Sequence, residues 1–136
     1  DQNPTHTYTT AGNFDVTLIA TNAVGSSSPE VKTTYISVSP PPVPVANFSA
    51  NDTTVFTGQS INFTDTSSNF PTSWSWDFDN DGNPDSTQEN PSHSYATAGT
   101  YTVSLTVTNA TGSDSETKTN YITVSNPPPV PTADLV

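Results

Sequence analysis

The sequence predicts an all-β chain made of antiparallel β-sandwich domains in tandem. Apolar residues alternate with polar ones along several short runs, and no segment shows the apolar period of an amphipathic helix. The first forty or so residues also return, slightly changed, from Asn90 onwards. Short alternating runs separated by Gly and Pro turns are typical of two packed antiparallel sheets.

The alternating runs predict the strands and the core. In chain order, their apolar members are Ile61 and Phe63, then Trp74, Trp76 and Phe78, then Tyr101, Val103, Leu105 and Val107, and finally Ile122 and Val124. The run Phe14, Val16, Leu18 and Ala20 occupies the same place in the first copy as the run from Tyr101. Because successive strand side chains point to opposite faces, these residues face a core and the intervening Thr and Ser face water.

The internal repeat sets the predicted domain boundaries. NPTHTYTTAGNFDVTLIATNAVGSSS, from Asn3, reappears from Asn90 as NPSHSYATAGTYTVSLTVTNATGSDS, and each copy runs on into a Pro-rich segment. We predict the C-terminal half of a domain at 1–39, a linker at 40–44, a complete domain at 45–125, a second linker at 126–131 and the first strand of a following domain at 132–136. The Pro-rich linkers favour an extended, semi-rigid polyproline II conformation.

The charge balance narrows the classes of partner. The chain has 2 basic and 13 acidic residues, a net charge of -11 and no Cys. Nucleic acids and anionic membranes are bound through clustered Lys and Arg, so we expect neither nucleic-acid binding nor direct membrane insertion. Cations are the natural small ligands of such a surface.

Several motifs, in order, carry a resemblance to a known family. WDFDNDG, followed by the Pro-x-His-x-Tyr stretch from Pro91 and the Gly-x-Tyr-x-Val-x-Leu strand from Gly99, is similar to the polycystic kidney disease (PKD) domain family. The resemblance covers the middle domain and, as a second half, residues 1–39. It implies an immunoglobulin-like β-sandwich used outside cells as a spacer, adhesion or recognition module. The family includes domains of archaeal surface-layer proteins and accessory domains of secreted bacterial hydrolases. The usual family turn, Trp-Asp-Phe-Gly-Asp-Gly, is longer here.

That longer turn is a candidate calcium site. Strand alternation places Asp77 and Asp79 on the same face, Asp81 follows at the turn, and Asp85 lies beyond Gly82. Alternating carboxylates with a Gly at the bend are typical of calcium loops, and hard oxygen ligands suit calcium. The alternative interpretation is an ordinary hairpin turn, because Asp-Gly is a strong turn signal.

The histidines and tryptophans have a structural interpretation and a functional one. His6 and His93 occupy matching repeat positions, each two residues before a Tyr, which favours a structural role on a strand edge. Trp74 and Trp76 could form a sugar-stacking platform, but their parity with Phe78 favours the core. No nucleophile with a base and no catalytic carboxylate pair is recognisable, so we expect no catalytic residues.

Four Asn-x-Ser/Thr triplets are candidate glycosylation sites. They begin at Asn47, Asn51, Asn62 and Asn109. Asn51 and Asn109 lie near predicted strand ends, where acceptor sites are more accessible.

These observations favour a non-catalytic, extracellular structural or adhesive module, repeated in tandem in a surface-layer, sheath or filament-forming protein. The alternative is an accessory substrate- or carbohydrate-binding module of a secreted hydrolase. Expected partners are neighbouring copies of the domain or protein, together with surface glycans or other surface proteins. Residues 1–39 alone would expose an apolar face, so we expect the missing strands in a longer polypeptide, with donation by a neighbouring subunit as the alternative.

Overall fold

The structure, a computed structural model, describes residues 1–132. Within these residues the secondary structure is strand, turn and coil, and no helix is long and apolar enough to cross a membrane. The chain divides into two compact units, of which the first is Asp1–Pro40 and the second begins at Pro41. The predicted strand at 132–136 falls, except for its first residue, outside the described residues.

Unit 1 is built around one long hairpin. Its strands are β1 (Gly12–Leu18), β2 (Thr21–Asn22), β3 (Gly25–Ser26) and β4 (Glu30–Val38). Strands β1 and β4 pair antiparallel, and β2 and β3 form a short hairpin at the tip.

Unit 2 is a two-sheet sandwich. Its strands are β5 (Phe48–Ala50), β6 (Thr54–Phe56), β7 (Ser60–Asp65), β8 (Ser73–Asp77), β9 (Ser92–Ser94), β10 (Gly99–Thr108) and β11 (Ser113–Ser125). One sheet has the order β6-β11-β10-β8 and the other β5-β7-β9. All neighbours are antiparallel except β6, which pairs parallel with β11 near the end of that strand.

The core of unit 2 lies between these sheets and follows the predicted alternation. Its buried hydrophobic residues are Ala46, Phe48, Val55, Ile61, Phe63, Trp76, Phe78, Tyr95, Val103, Leu105, Val107, Ile122 and Val124. Trp74 and Tyr101, also predicted as core, are only partly buried against it. Each fully buried large side chain contributes about 1.5–3 kcal/mol, so an aromatic-rich core offsets the low overall hydrophobicity of the chain.

Both units contain the same irregularity in their long hairpin. The register shifts between Phe14 and Val16 in unit 1 and between Tyr101 and Val103 in unit 2. In unit 2 the backbone N–H of Asn120, which has φ of 52°, donates to the Thr102 hydroxyl at 3.1 Å. In unit 1, Thr34 and Asp15 make the corresponding contact at 2.6 Å. The repeated sequence therefore encodes a repeated bulge.

The segment predicted as the first linker packs along unit 2. Pro44 is fully buried, and the side-chain amide of Asn109 donates to the Pro42 carbonyl at 2.8 Å. The Thr111 hydroxyl donates to the Pro41 carbonyl at 2.7 Å. These contacts make Pro41–Pro44 part of the folded unit, since carbonyls of a polyproline stretch have no partners of their own.

Candidate functional site

The acid-rich loop after β8 is organised by a buried carboxylate. Asp77 is 9% exposed, and its two carboxylate oxygens accept hydrogen bonds from the backbone N–H groups of Asp81 at 3.2 Å and Gly82 at 2.8 Å. Gly82 has φ of 91°, a conformation that Gly adopts without steric cost. Strand β8 therefore ends in a turn whose backbone N–H groups donate to the side chain of Asp77, the last residue of the strand.

Three of the four predicted calcium ligands come together in this loop. Carboxylate oxygens of Asp77, Asp79 and Asp85 lie within 4.8 Å of one another. Asp85 also accepts a hydrogen bond from the Phe78 backbone N–H at 2.7 Å, which holds it against the end of β8. Asp81 is not part of this cluster, because its carboxylate accepts two hydrogen bonds from Asn83, at 2.7 and 3.1 Å.

The pKa of the Asp79 carboxyl is raised above its ordinary value. Desolvation is the main cause, followed by repulsion from Asp81, Asp85 and Asp77, while a hydrogen bond from the Asp81 backbone N–H acts in the opposite direction. A divalent cation would reverse this effect, because opposite charge stabilises the ionised carboxylates.

The loop geometry is compatible with both interpretations from the sequence. Three carboxylates within reach of one ion, all hard oxygen donors, fit the ligand preference of calcium. The hydrogen bonds from the loop backbone to Asp77 and Asp85 also account for the turn without an ion, as Asp side chains commonly do. The calcium site accordingly stays a prediction.

An aromatic group lies directly behind the loop. His93 stacks on Phe78 with ring centroids 4.4 Å apart and contacts Tyr95 edge-on at 4.6 Å. The buried Tyr95 hydroxyl donates to the Phe78 carbonyl at 2.8 Å, and burial raises the pKa of Tyr95. Burial lowers the pKa of His93, against the opposing effect of Asp85 and Asp79. In unit 1, His6 contacts Tyr8 edge-on at 4.6 Å.

The two tryptophans occupy different environments. Trp76 is fully buried and its indole N–H donates to the Gln88 carbonyl at 2.8 Å. Trp74 is partly buried, and its indole N–H donates to the Asp65 carboxylate at 2.7 Å. Trp74 also lines an open groove of about 570 Å³.

That groove brings together residues that the sequence does not single out. Besides Trp74, it is lined by Asp65, Ser67, Ser68, Asn69, Phe70, Pro71 and Glu89. Phe70 is 78% exposed, so it is a large aromatic displayed on the surface. The only sequence signal is its position outside every alternating run, immediately before a Pro.

The four sequons differ in accessibility. Asn47, Asn51 and Asn62 are exposed, whereas Asn109 is only 7% exposed. The Asn109 side-chain nitrogen, to which a glycan would be joined, donates to the carbonyls of Pro42 at 2.8 Å and Asn69 at 2.9 Å. A glycan at Asn109 would replace one of these two N–H donors, so at least one of the two contacts would have to break.

Comparison with known protein families identifies the class. A model of the PKD domain matches residues 41–124, and a second PKD domain model matches residues 1–35. The first match covers more than half of the 136 residues, so the chain belongs to the PKD domain family. The two matches, with the repeat, fit a tandem arrangement. The sequence has no significant match among curated proteins.

Solved structures support the same assignment. The chain is 39% identical to the PKD1 domain of the Vibrio cholerae metalloprotease PrtV, covering 61% of this chain and 98% of that one, with a TM-score of 0.50. It is 28% identical to a structure of carbohydrate-binding modules from the β-sandwich superfamily, covering 65% of this chain and 36% of that one, with a TM-score of 0.56. Four N-terminal immunoglobulin domains of Dscam1 share the fold alone, at 16% identity and a TM-score of 0.52, covering 79% of this chain and 26% of that one. The predicted family and immunoglobulin-like β-sandwich are confirmed.

Proposed function

We propose that this chain is a non-catalytic, load-bearing spacer, repeated in tandem in an extracellular surface-layer, sheath or filament-forming protein. The observation that carries the proposal is how β6, the second strand of unit 2, is joined to the last strand, β11. Strand β6 pairs parallel with the end of β11, matching Thr54 with Thr123 and Phe56 with Ser125. Backbone hydrogen bonds extend this pairing on both sides, from Thr123 to the Thr53 carbonyl and from Thr57 to the Ser125 carbonyl.

This arrangement opposes stretching along the chain. Tension across this pair of strands pulls the first residue of β6 towards the N-terminal side of the chain and the last residue of β11 towards the C-terminal side. Because the strands are parallel, these forces slide them past each other and load all of the bridging hydrogen bonds together. Antiparallel strands pulled from adjacent ends open one bond at a time instead. A domain whose last strand pairs parallel with a strand near its N-terminal end is therefore suited to transmitting tension.

The proposal has a direct mechanical test. The chain contains no Cys, so introduced thiols are unique attachment points. A single-molecule stretching measurement on the Thr53→Cys, Asn126→Cys variant loads β6 and β11 in shear. The matched Ala98→Cys, Asn126→Cys variant loads the paired ends of β10 and β11 and unzips them. We expect a higher rupture force in the first geometry, and equal forces in the two geometries would refute the proposal.

The polymer arrangement is tested by the mass of the source polypeptide. We propose that neighbouring copies of the domain are joined in one long chain at the cell surface. Under denaturing conditions and after removal of glycans, that polypeptide is then expected to have a mass far above 14.3 kDa. A mass close to 14.3 kDa would mean that neighbouring subunits complete the domains.

Calcium is proposed as a stabilising ligand of this spacer. The cluster of Asp77, Asp79 and Asp85 supports this assignment, because a cation would offset their repulsion. The affinity expected for an extracellular module is about 10⁻⁴–10⁻³ M. Thermal melting with calcium and then with chelator tests the site.

A second candidate function is an accessory carbohydrate-binding module of a secreted hydrolase. The likeness to carbohydrate-binding modules at 28% identity supports it, as does the groove beside Trp74. A screen of the whole chain against immobilised polysaccharides tests this function, and a complete lack of retention would remove it.

A further inference from the structure

We propose that the groove between Phe70, Trp74 and Glu89 is a saccharide-binding site for neutral or amino-bearing sugars. This inference rests on the second candidate function and names its site. The groove is lined in part by the loop that connects β7 and β8. This loop precedes β8 in the chain, whereas the acidic turn follows β8. Its volume of about 570 Å³ lies within the range of small-ligand sites.

The loop displays Phe70 at a cost in backbone conformation. Asn69 and Phe70 have φ of 64° and 58°, a region that a bulky residue such as Phe rarely adopts. The same loop leaves the Phe70 side chain 78% exposed. Strain combined with an uncovered aromatic ring is unfavourable for stability alone, and such strain is characteristic of binding surfaces.

The groove is held in shape before any ligand arrives. The Asn69 side chain donates to the Val43 carbonyl at 2.9 Å, and the Asn69 carbonyl accepts a hydrogen bond from the Asn109 side chain at 2.9 Å. On the other wall, the bond from the Trp74 indole to Asp65 fixes the plane of the ring. Asp65 is itself fixed by a hydrogen bond from the Ser67 backbone N–H at 2.9 Å. A site organised in this way loses little conformational entropy on binding.

The lining matches the two sides of a sugar ring. Phe70, Trp74 and Pro71 offer apolar surface to the C–H face of a pyranose. Asp65 and Glu89 offer carboxylate oxygens, which accept hydrogen bonds from hydroxyl or ammonium groups. The two carboxylates oppose a uronic acid or sulfated sugar, so the expected ligand is neutral or cationic.

A proline-rich peptide fits the same groove less well. Aromatic grooves that bind polyproline II segments donate hydrogen bonds to peptide carbonyls. Here the indole N–H of Trp74 is already used by Asp65, and one of the two side-chain N–H groups of Asn69 by the Val43 carbonyl. The remaining carboxylates are acceptors, and prolines have no N–H to donate to them. A ligand rich in donors is therefore favoured.

The test is a titration of the whole chain with defined oligosaccharides. Cellohexaose, chitohexaose and hexameric glucosamine represent neutral and amino sugars, and an oligogalacturonate represents acidic ones. The variants are Phe70→Ala and Glu89→Gln, with Phe56→Ala as the matched control because Phe56 is an aromatic residue 41% exposed outside the groove. Melting curves identify any variant that fails to fold.

We expect a neutral or amino hexasaccharide to bind, and Phe70→Ala to weaken that binding at least about tenfold while Phe56→Ala leaves it unchanged. Absence of binding by every sugar at millimolar concentration would overturn both the groove assignment and the carbohydrate-binding function. Binding that is indifferent to Phe70→Ala would overturn only the groove assignment. Saturable binding of a PPPVP peptide that Phe70→Ala abolishes, without sugar binding, would overturn the saccharide proposal in favour of a peptide groove.

Discussion

Lys118 joins the first strand of unit 2 to its last, and its removal should be costly. Its ammonium group donates to the Phe48 carbonyl at 2.7 Å and lies 4.8 Å from the centre of the Phe48 ring and 5.4 Å from that of Tyr121. The Tyr121 hydroxyl in turn accepts a hydrogen bond from the Ala50 backbone N–H at 3.0 Å. One cation therefore connects β11, in the four-stranded sheet, with β5, in the three-stranded sheet.

The expected loss follows from these contacts. A hydrogen bond involving a charged group contributes about 1.5–3 kcal/mol, and a partly exposed cation–π contact about 0.5–1 kcal/mol. Lys118→Met keeps much of the apolar stem and removes the charge. The variant therefore isolates the contributions of the hydrogen bond and of the cation–π contacts. We expect it to lower the free energy of unfolding of unit 2 by about 2–4 kcal/mol.

Urea unfolding followed by tryptophan fluorescence measures this loss. Both tryptophans, Trp74 and Trp76, lie in unit 2, so the signal reports that unit alone. Lys32→Met is the matched control, because Lys32 occupies the corresponding repeat position and contacts the Tyr35 ring at 5.1 Å in unit 1. We expect the control to leave the transition in place. A Lys118→Met transition at the same urea concentration as in the wild type would refute the structural role given to Lys118.

Three further outcomes are expected. Asp79→Asn should raise the melting temperature in chelator, because it removes a carboxyl whose pKa is raised, and it should abolish the rise in melting temperature caused by calcium. The control variant Asp81→Asn should retain the rise caused by calcium. A wild-type melting temperature that does not change with calcium would refute the site. Burial lowers the pKa of His93 from its ordinary 6.5, so this side chain binds a proton more readily in the unfolded chain than in the folded one. The free energy of unfolding should therefore fall as the pH drops through and below 6.5. A His93→Gln variant with the same dependence of stability on pH as the wild type would contradict this. Asn109→Asp removes two N–H donors and should lower the free energy of unfolding by about 1–3 kcal/mol in urea. Asn22→Asp in unit 1 should be nearly neutral, because within residues 1–132 the Asn22 side chain makes only the analogous turn bonds, which it accepts. Similar costs in the two variants would argue against the Asn109 contacts.

The sequence was sufficient for the fold because the relevant signals are local and periodic. Alternation placed Ile61, Phe63, Val103 and Leu105 on the core face, and all four are buried. Their periodicity of two follows from strand geometry itself, which does not depend on the rest of the molecule. The internal repeat likewise indicates a tandem arrangement from the sequence alone.

The candidate metal site was only partly predictable. Spacing alone treated Asp77, Asp79, Asp81 and Asp85 as equivalent, but the turn rotates the Asp81 side chain towards Asn83 and brings the other three together. Whether a loop carboxylate faces a cluster depends on which backbone N–H groups it accepts, and those bonds form only when the loop closes.

The sequence by itself therefore determined the fold class, the repeat and most of the core, since these depend on the order of apolar and polar residues along each strand. Only the tertiary structure decided the roles of Asn109, Lys118 and Phe70. Asn109 bonds to Pro42, 67 positions earlier, and Lys118 to Phe48, 70 positions earlier. Phe70 is exposed because its loop is held through Asn69 by residues distant in the chain. Contacts of this kind arise from the packing of the two sheets, and no local pattern encodes them.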